Sequence, residues 1–156
     1  MKKCVKLGVV VMFLLSMLLL TGCETRYSKS LKFKVTTGDN ITVRVDSHEK
    51  WDIGNEAQFD ITKNGEKVST GKFITKIEYD SFANTIRKSS LINTLDEGSR
   101  HGTEYIFYEL VNSKTNERQY NYIIMINGSK TGVLLENNIS QESAEECFKV
   151  LTFVKD

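Results

Sequence analysis

The sequence predicts an α+β fold: a three-layer α/β/α sandwich with a mainly antiparallel central sheet flanked by helices. Three observations predict it. Several segments after residue 30 alternate apolar and polar residues with the two-residue period of strands, and hairpin-type turns join them. Two of these segments, 103–111 and 119–126, are apolar on both faces and so need cover on both sides. Two others carry apolar residues at helical spacing and are available as that cover.

The elements follow in order. Leu31, Phe33 and Val35, then Ile41, Val43 and Val45, alternate with polar residues around Gly38-Asp39-Asn40, an opening hairpin with one buried face. Trp51 and Ile53 come next, closed by Gly54. Segment 57–63 alternates through Ala57, Phe59 and Ile61, and Asn64-Gly65 is a hairpin turn because both positions tolerate positive φ. Segment 67–79 returns as a long strand with Gly71 as its bend. Asp80 or Ser81 caps a helix over 81–90, with Phe82, Ala83 and Ile86 on one face. Segment 91–95 fits either state, and 96–102 (Asp-Glu-Gly-Ser-Arg-His-Gly) reads as a polar loop.

Strands 103–111 and 119–126 are joined by the polar turn 112–118. Tyr105, Phe107 and Val111 face one way, and Ile106, Tyr108 and Leu110 the other; Tyr120, Tyr122, Ile124 and Ile126 oppose Ile123 and Met125. Asn127-Gly128-Ser129 turns into a strand over 130–135. Ser140 caps a closing helix over 141–152, with Glu142, Glu145 and Glu146 near its positive end and Ala144, Cys147, Phe148 and Leu151 as one apolar stripe.

The chain has 156 residues, 40% apolar and 26% charged, with a formal net charge of +1. That balance excludes a disordered charged tail and a polytopic membrane protein. It also gives no electrostatic reason for a nucleic-acid partner. Proline is absent, so there is no Pro-rich spacer.

The N-terminus is of another kind. Lys2, Lys3 and Lys6 precede a 14-residue run, Leu7 to Leu20, interrupted only by Gly8 and Ser16. As a helix that run spans about 21 Å, short of the roughly 30 Å bilayer core and right for a secretory h-region behind a basic n-region. Leu20-Thr21-Gly22-Cys23 follows directly and resembles the lipobox of bacterial lipoproteins. The resemblance implies that Leu20, Thr21 and Gly22 are recognised by a dedicated signal peptidase and that the Cys23 thiol carries a diacylglyceryl group. Two acyl chains give durable anchoring without a spanning helix. The implied organisation is a signal peptide at 1–22, a lipidated cysteine and short tether at 23–30, and one domain at 31–156. The implied location is the extracytoplasmic face of the cell membrane, with membrane lipid as the first partner.

The mature chain keeps 134 residues and two cysteines, Cys23 and Cys147, so it has no disulfide and relies on its core. Its side chains sum to about −2 charges, not a basic membrane-binding patch. The element order from 31 to 156 resembles the PsbP-like fold: an early strand leading to Trp51, a hairpin through Phe59, a helix near Ser81, a long central hairpin and a closing amphipathic helix. That resemblance implies a binding or accessory role and no enzymatic activity.

The chemistry-bearing residues support no catalytic reading. His48-Glu49 lacks the x-x-His of a zincin, and Asp46-Ser47-His48 lies on extended chain, where neighbours point to opposite sides. His101 shares a segment with Asp96 and Glu97, a weak cation site at most. Cys147 on its apolar stripe is a small buried hydrophobe. Trp51 is expected to be packed core with its indole N–H on a backbone carbonyl. The expected function is a non-catalytic module that binds another envelope protein or an extracellular ligand, with no cofactor beyond the lipid on Cys23. The alternatives are a small-ligand-capturing lipoprotein of a transport system, with Trp51, Asp96, Glu97 and His101 as contact residues, and an envelope enzyme using His101 or His48.

Overall fold

The computed structural model describes residues 26–54, 58–137 and 140–156. The expected signal peptide and lipobox, with Cys23, lie outside the described residues. The fold is mixed α+β, with two antiparallel sheets and two helices among the described residues. Strands β1 (Tyr27–Lys34), β2 (Asn40–Ser47) and β10 (Leu151–Lys155) form a three-stranded sheet in the order β1-β2-β10. A seven-stranded sheet is built from β3 (Trp51–Ile53), β4 (Gln58–Lys63), β5 (Glu66–Thr75), β6 (Ile92–Arg100), β7 (Thr103–Val111), β8 (Arg118–Ile126) and β9 (Thr131–Asn137). Its order is β3-β4-β5-β9-β8-β7-β6. Helices α1 (Lys76–Lys88) and α2 (Gln141–Val150) are the other described elements.

The double-sided strands behave as their sequence demands. Ile106, Tyr108, Ile123 and Met125 pack with Tyr79, Ala83 and Ile86 of α1. Phe107, Tyr122, Ile124 and Ile126 face the other way, into a larger core with Ala144, Cys147 and Phe148 of α2. That second face is shared. Phe33, Val35, Ile41, Val43, Val45, Leu151 and Phe153 of the small sheet enter the same core. The sequence reading expected one central sheet covered by helices, whereas the opening hairpin forms a sheet of its own. α2 covers only part of a seven-stranded face, and the apolar side of β1 and β2 covers the rest.

Four boundaries differ from expectation, each for a local reason. α1 begins at Lys76, not Ser81, because Thr75 forms a capping box: its Oγ1 accepts from Glu78 N–H (3.2 Å), and Glu78 Oε2 accepts from Thr75 N–H (2.7 Å). Such a cap contributes about 1 kcal/mol. The buried stripe is therefore Tyr79, Ala83 and Ile86, and Phe82 stays 40% exposed. Residues 96–100 are the second half of edge strand β6, paired with β7 past an irregularity at Thr94/Asp96; a polar sequence suits an edge strand. Only His101 (φ 47°) and Gly102 (φ 76°) form the turn. Leu151 leaves the helix to start β10, opposite Val45. Strand β1 begins at Tyr27, so the tether expected through residue 30 is shorter.

Gly71 shows why a glycine stands in β5. A Cβ there would lie 2.2 Å from two atoms of the Phe59 ring. Phe59 is fully buried between Phe33 (5.4 Å between centroids) and Phe73 (5.2 Å). The two sheets are clasped at one end by Asp39, whose Oδ2 accepts from Lys130 N–H (2.8 Å) and Thr131 Oγ1 (2.9 Å).

Candidate functional site

A cleft of about 380 Å³ opens between α2 and the β6 side of the large sheet. That volume falls in the range of about 300–1,000 Å³ usual for ligand sites. Sequence period builds its floor. Tyr105 and Phe107 project from the same face of β7, and Phe107 lies opposite Tyr122 of β8. Phe107 and Tyr122 stack at 4.3 Å between centroids with a 10° interplanar angle. Phe148, in the last turn of α2, stacks on Tyr122 at 4.3 Å and meets Tyr105 at 4.9 Å. The four rings form one aromatic wall.

The rim is charged with both signs. Asp96 and Arg100 come from β6, and Gln141, Glu145 and Lys149 from α2. Asp96 Oδ2 accepts from the Tyr105 hydroxyl at 2.8 Å, and its Oδ1 accepts from Glu97 N–H at 2.9 Å. The Asp96 carboxylate, then burial, pushes the Tyr105 phenol above its ordinary value, and burial does the same to Tyr122. Arg100 donates to the carbonyls of Phe148 (3.2 Å) and Lys149 (2.5 Å), and its guanidinium lies 5.4 Å from the Phe148 ring centre. A cation at the carbonyl end of a helix is favourable, so Arg100 joins β6 to α2 and fixes the cleft width. Gln141 Nε2 donates to Glu145 Oε1 at 2.9 Å. The arrangement suits a ligand with an apolar or aromatic face and polar edges.

Of the four candidate contact residues Trp51, Asp96, Glu97 and His101, only Asp96 lines this cleft. Glu97, its neighbour on a strand, points to the opposite face and pairs with Arg87 of α1. His101 is exposed in the β6–β7 turn. Asp96, Glu97 and His101 therefore do not converge, and among the described residues no group of three His, Cys, Asp or Glu side chains gathers to hold a metal. Trp51 is buried on β3, at the opposite edge of the large sheet. Six strand spacings separate β3 from β6, about 29 Å along the sheet. Trp51 therefore shares no pocket with Asp96, Glu97 or His101.

Trp51 is packed core, as its sequence suggests, but its Nε1 makes no hydrogen bond to a carbonyl. Lys63 Nζ stands 5.4 Å from the indole centre and pairs with Glu49 (2.9 Å) and Glu146 (3.0 Å). These two carboxylates hold the Lys63 ammonium above its usual range. Lys63 in turn is the main cause of the lowered Glu49 value, with the indole N–H a minor contributor. His48 lies in the bend after β2, at the other end of the molecule from His101. Cys147 is fully buried beside Ser69, and burial raises its thiol to about 12.

No protein-family profile matches the chain, and no curated protein matches it. Arg100, Gln141, Glu145 and Lys149 line the cleft without having been given a binding role from the sequence, where Glu145 reads only as a helix-end charge. The aromatic residues were legible as one face, but as core, because period gives direction and not the width of the gap above a ring.

Proposed function

We propose that this chain is a bacterial lipoprotein, held at the extracytoplasmic face of the membrane by a diacylglyceryl thioether on Cys23, and that its domain is a non-catalytic binding module. The anchoring half rests on Leu20-Thr21-Gly22-Cys23 directly behind the h-region. The binding half rests on one observation: the aromatic wall of Tyr105, Phe107, Tyr122 and Phe148 under a rim of Asp96, Arg100, Glu145 and Lys149. Neither His48 nor His101 borders that cleft, and the non-catalytic reading assigns them no chemical role.

The resemblance in element order to the PsbP-like fold, with its layered α/β/α architecture, supports an accessory role toward an envelope protein partner. The small-ligand-capturing alternative draws support from the cleft volume of about 380 Å³. The two readings differ in what fills the cleft.

Two measurements test the proposal. Cys23→Ala is expected to abolish acyl labelling and release the protein from membranes; normal labelling of that variant overturns the anchor. A photoreactive residue at Lys149 in intact cells is expected to give a discrete protein adduct. A small molecule retained at the cleft in native mass spectra, without that adduct, favours capture. Failure of both, with the anchor intact, overturns the binding module.

A further inference from the structure

The length of chain between the lipid and the first strand decides which end of the domain meets the bilayer. β1 starts at Tyr27, paired with Ser47, and the Arg26 guanidinium grips both Asp46 carboxylate oxygens at 2.5 and 2.7 Å. Only Glu24, Thr25 and Arg26 separate Cys23 from Tyr27. Four residue steps reach at most about 14 Å along any path. The headgroup layer takes up about 5–7 Å of that reach. Tyr27 therefore stands no more than roughly 9 Å above the headgroups.

Around Tyr27 the surface is formed by two turns. The segment 48–50 follows β2, and its Lys50 carbonyl accepts from Asn64 N–H at 2.8 Å, which sets the Asn64-Gly65 turn beside it. Tyr27 is 40% exposed, and His48, Glu49, Lys50, Asn64 and Gly65 are exposed. We infer that this end of the domain rests on a phospholipid surface, with the Tyr27 ring at headgroup level and the Lys50 ammonium toward lipid phosphates. An amphipathic ring and a snorkelling lysine suit that depth. The inference rests on Cys23 carrying the lipid.

No basic patch is required. The tether confines this end within roughly 9 Å of the headgroups, so local concentration replaces long-range attraction, and contact persists in salt. The opposite end, with the Gly38, Gly102 and Gly128 turns, stands away from the bilayer; Lys130 is bonded there to Asp39, eight strand steps or about 27 Å from Ser47. The cleft at the β6 edge lies across the large sheet from β3, which neighbours β1, and so stays open to the exterior.

The test uses the lipidated protein, extracted and reconstituted in phosphatidylethanolamine–phosphatidylglycerol vesicles. A fluorophore is placed at Lys50→Cys or at Lys130→Cys; Cys23 is blocked by its thioether and Cys147 is buried. Headgroup-spin-labelled lipid is expected to quench the probe at 50 at least twofold, in low and high salt, and to leave the probe at 130 unchanged. Tyr27→Ser combined with the Lys50 probe is expected to weaken the quenching while flotation stays complete. Equal quenching at both sites, or none at 50 in protein that floats with the vesicles, overturns the docking. Protein that does not float removes the anchor itself, a separate failure that also ends this inference.

Discussion

Asp39 offers the sharpest quantitative test of how the two sheets are held. Its carboxylate is 10% exposed and accepts from the Lys130 amide (2.8 Å) and the Thr131 hydroxyl (2.9 Å), the latter on a fully buried residue. Asp39→Asn keeps the shape and an acceptor but removes the charge. Hydrogen bonds to charged groups contribute about 1.5–3 kcal/mol and neutral ones about 0.5–1.5, so two conversions cost about 2 kcal/mol. The Lys155 ammonium, 3.3 Å away and 39% exposed, adds at most a few tenths. In a domain of this size the loss lowers the melting temperature by roughly 6–10 °C.

The pH dependence has a definite sign. The Lys130 amide, foremost, holds the folded Asp39 carboxyl below its usual range. A depressed folded value means that the contribution is complete above the unfolded value of about 3.9 and is lost as pH falls through the folded one. Urea unfolding followed by the single, buried Trp51 is therefore expected to separate wild type from Asp39→Asn by about 2 kcal/mol at pH 7, and by progressively less below pH 4. A gap that is absent at pH 7, or that stays constant down to pH 3, refutes the clasp.

Two further outcomes follow from packing. Gly71→Ala forces a Cβ against the Phe59 ring and is expected to cost about 1–3 kcal/mol in urea unfolding; adding Phe59→Leu restores much of it, and an unchanged midpoint for the single variant removes the steric reading. Cys147, its thiol raised to about 12 by burial, is expected to resist an aromatic disulfide reagent at pH 8 until denaturant is added; rapid labelling of folded protein contradicts its burial.

Local rules in the chain specified a good deal. Asn64-Gly65 has φ of 55° and 87°, as a two-residue hairpin with that sequence requires. The two-sided apolar pattern of β7 and β8 announced cover on both faces, and Ser140 caps α2 through Ser143 N–H at 3.1 Å. The Thr75-x-x-Glu78 box was equally present in the residues, and reading 67–79 as one strand overrode it. These features depend on neighbours within a few positions, which is why sequence alone determines them.

Other features depend on where distant segments meet. Period tells a strand which side is apolar, but not which sheet it joins, so the β1–β2 hairpin could take β10 as a third strand beside β2 rather than join the large sheet. Asp96 and Glu97 are adjacent in sequence and face opposite layers once 92–100 becomes an edge strand. The cleft exists because Arg100 reaches the last carbonyls of α2, 48 and 49 residues away, and holds Phe148 over Tyr122. Alternation and capping are short-range consequences of backbone geometry; sheet partnership and the gap between layers are set by long-range packing, and only the tertiary structure decided them.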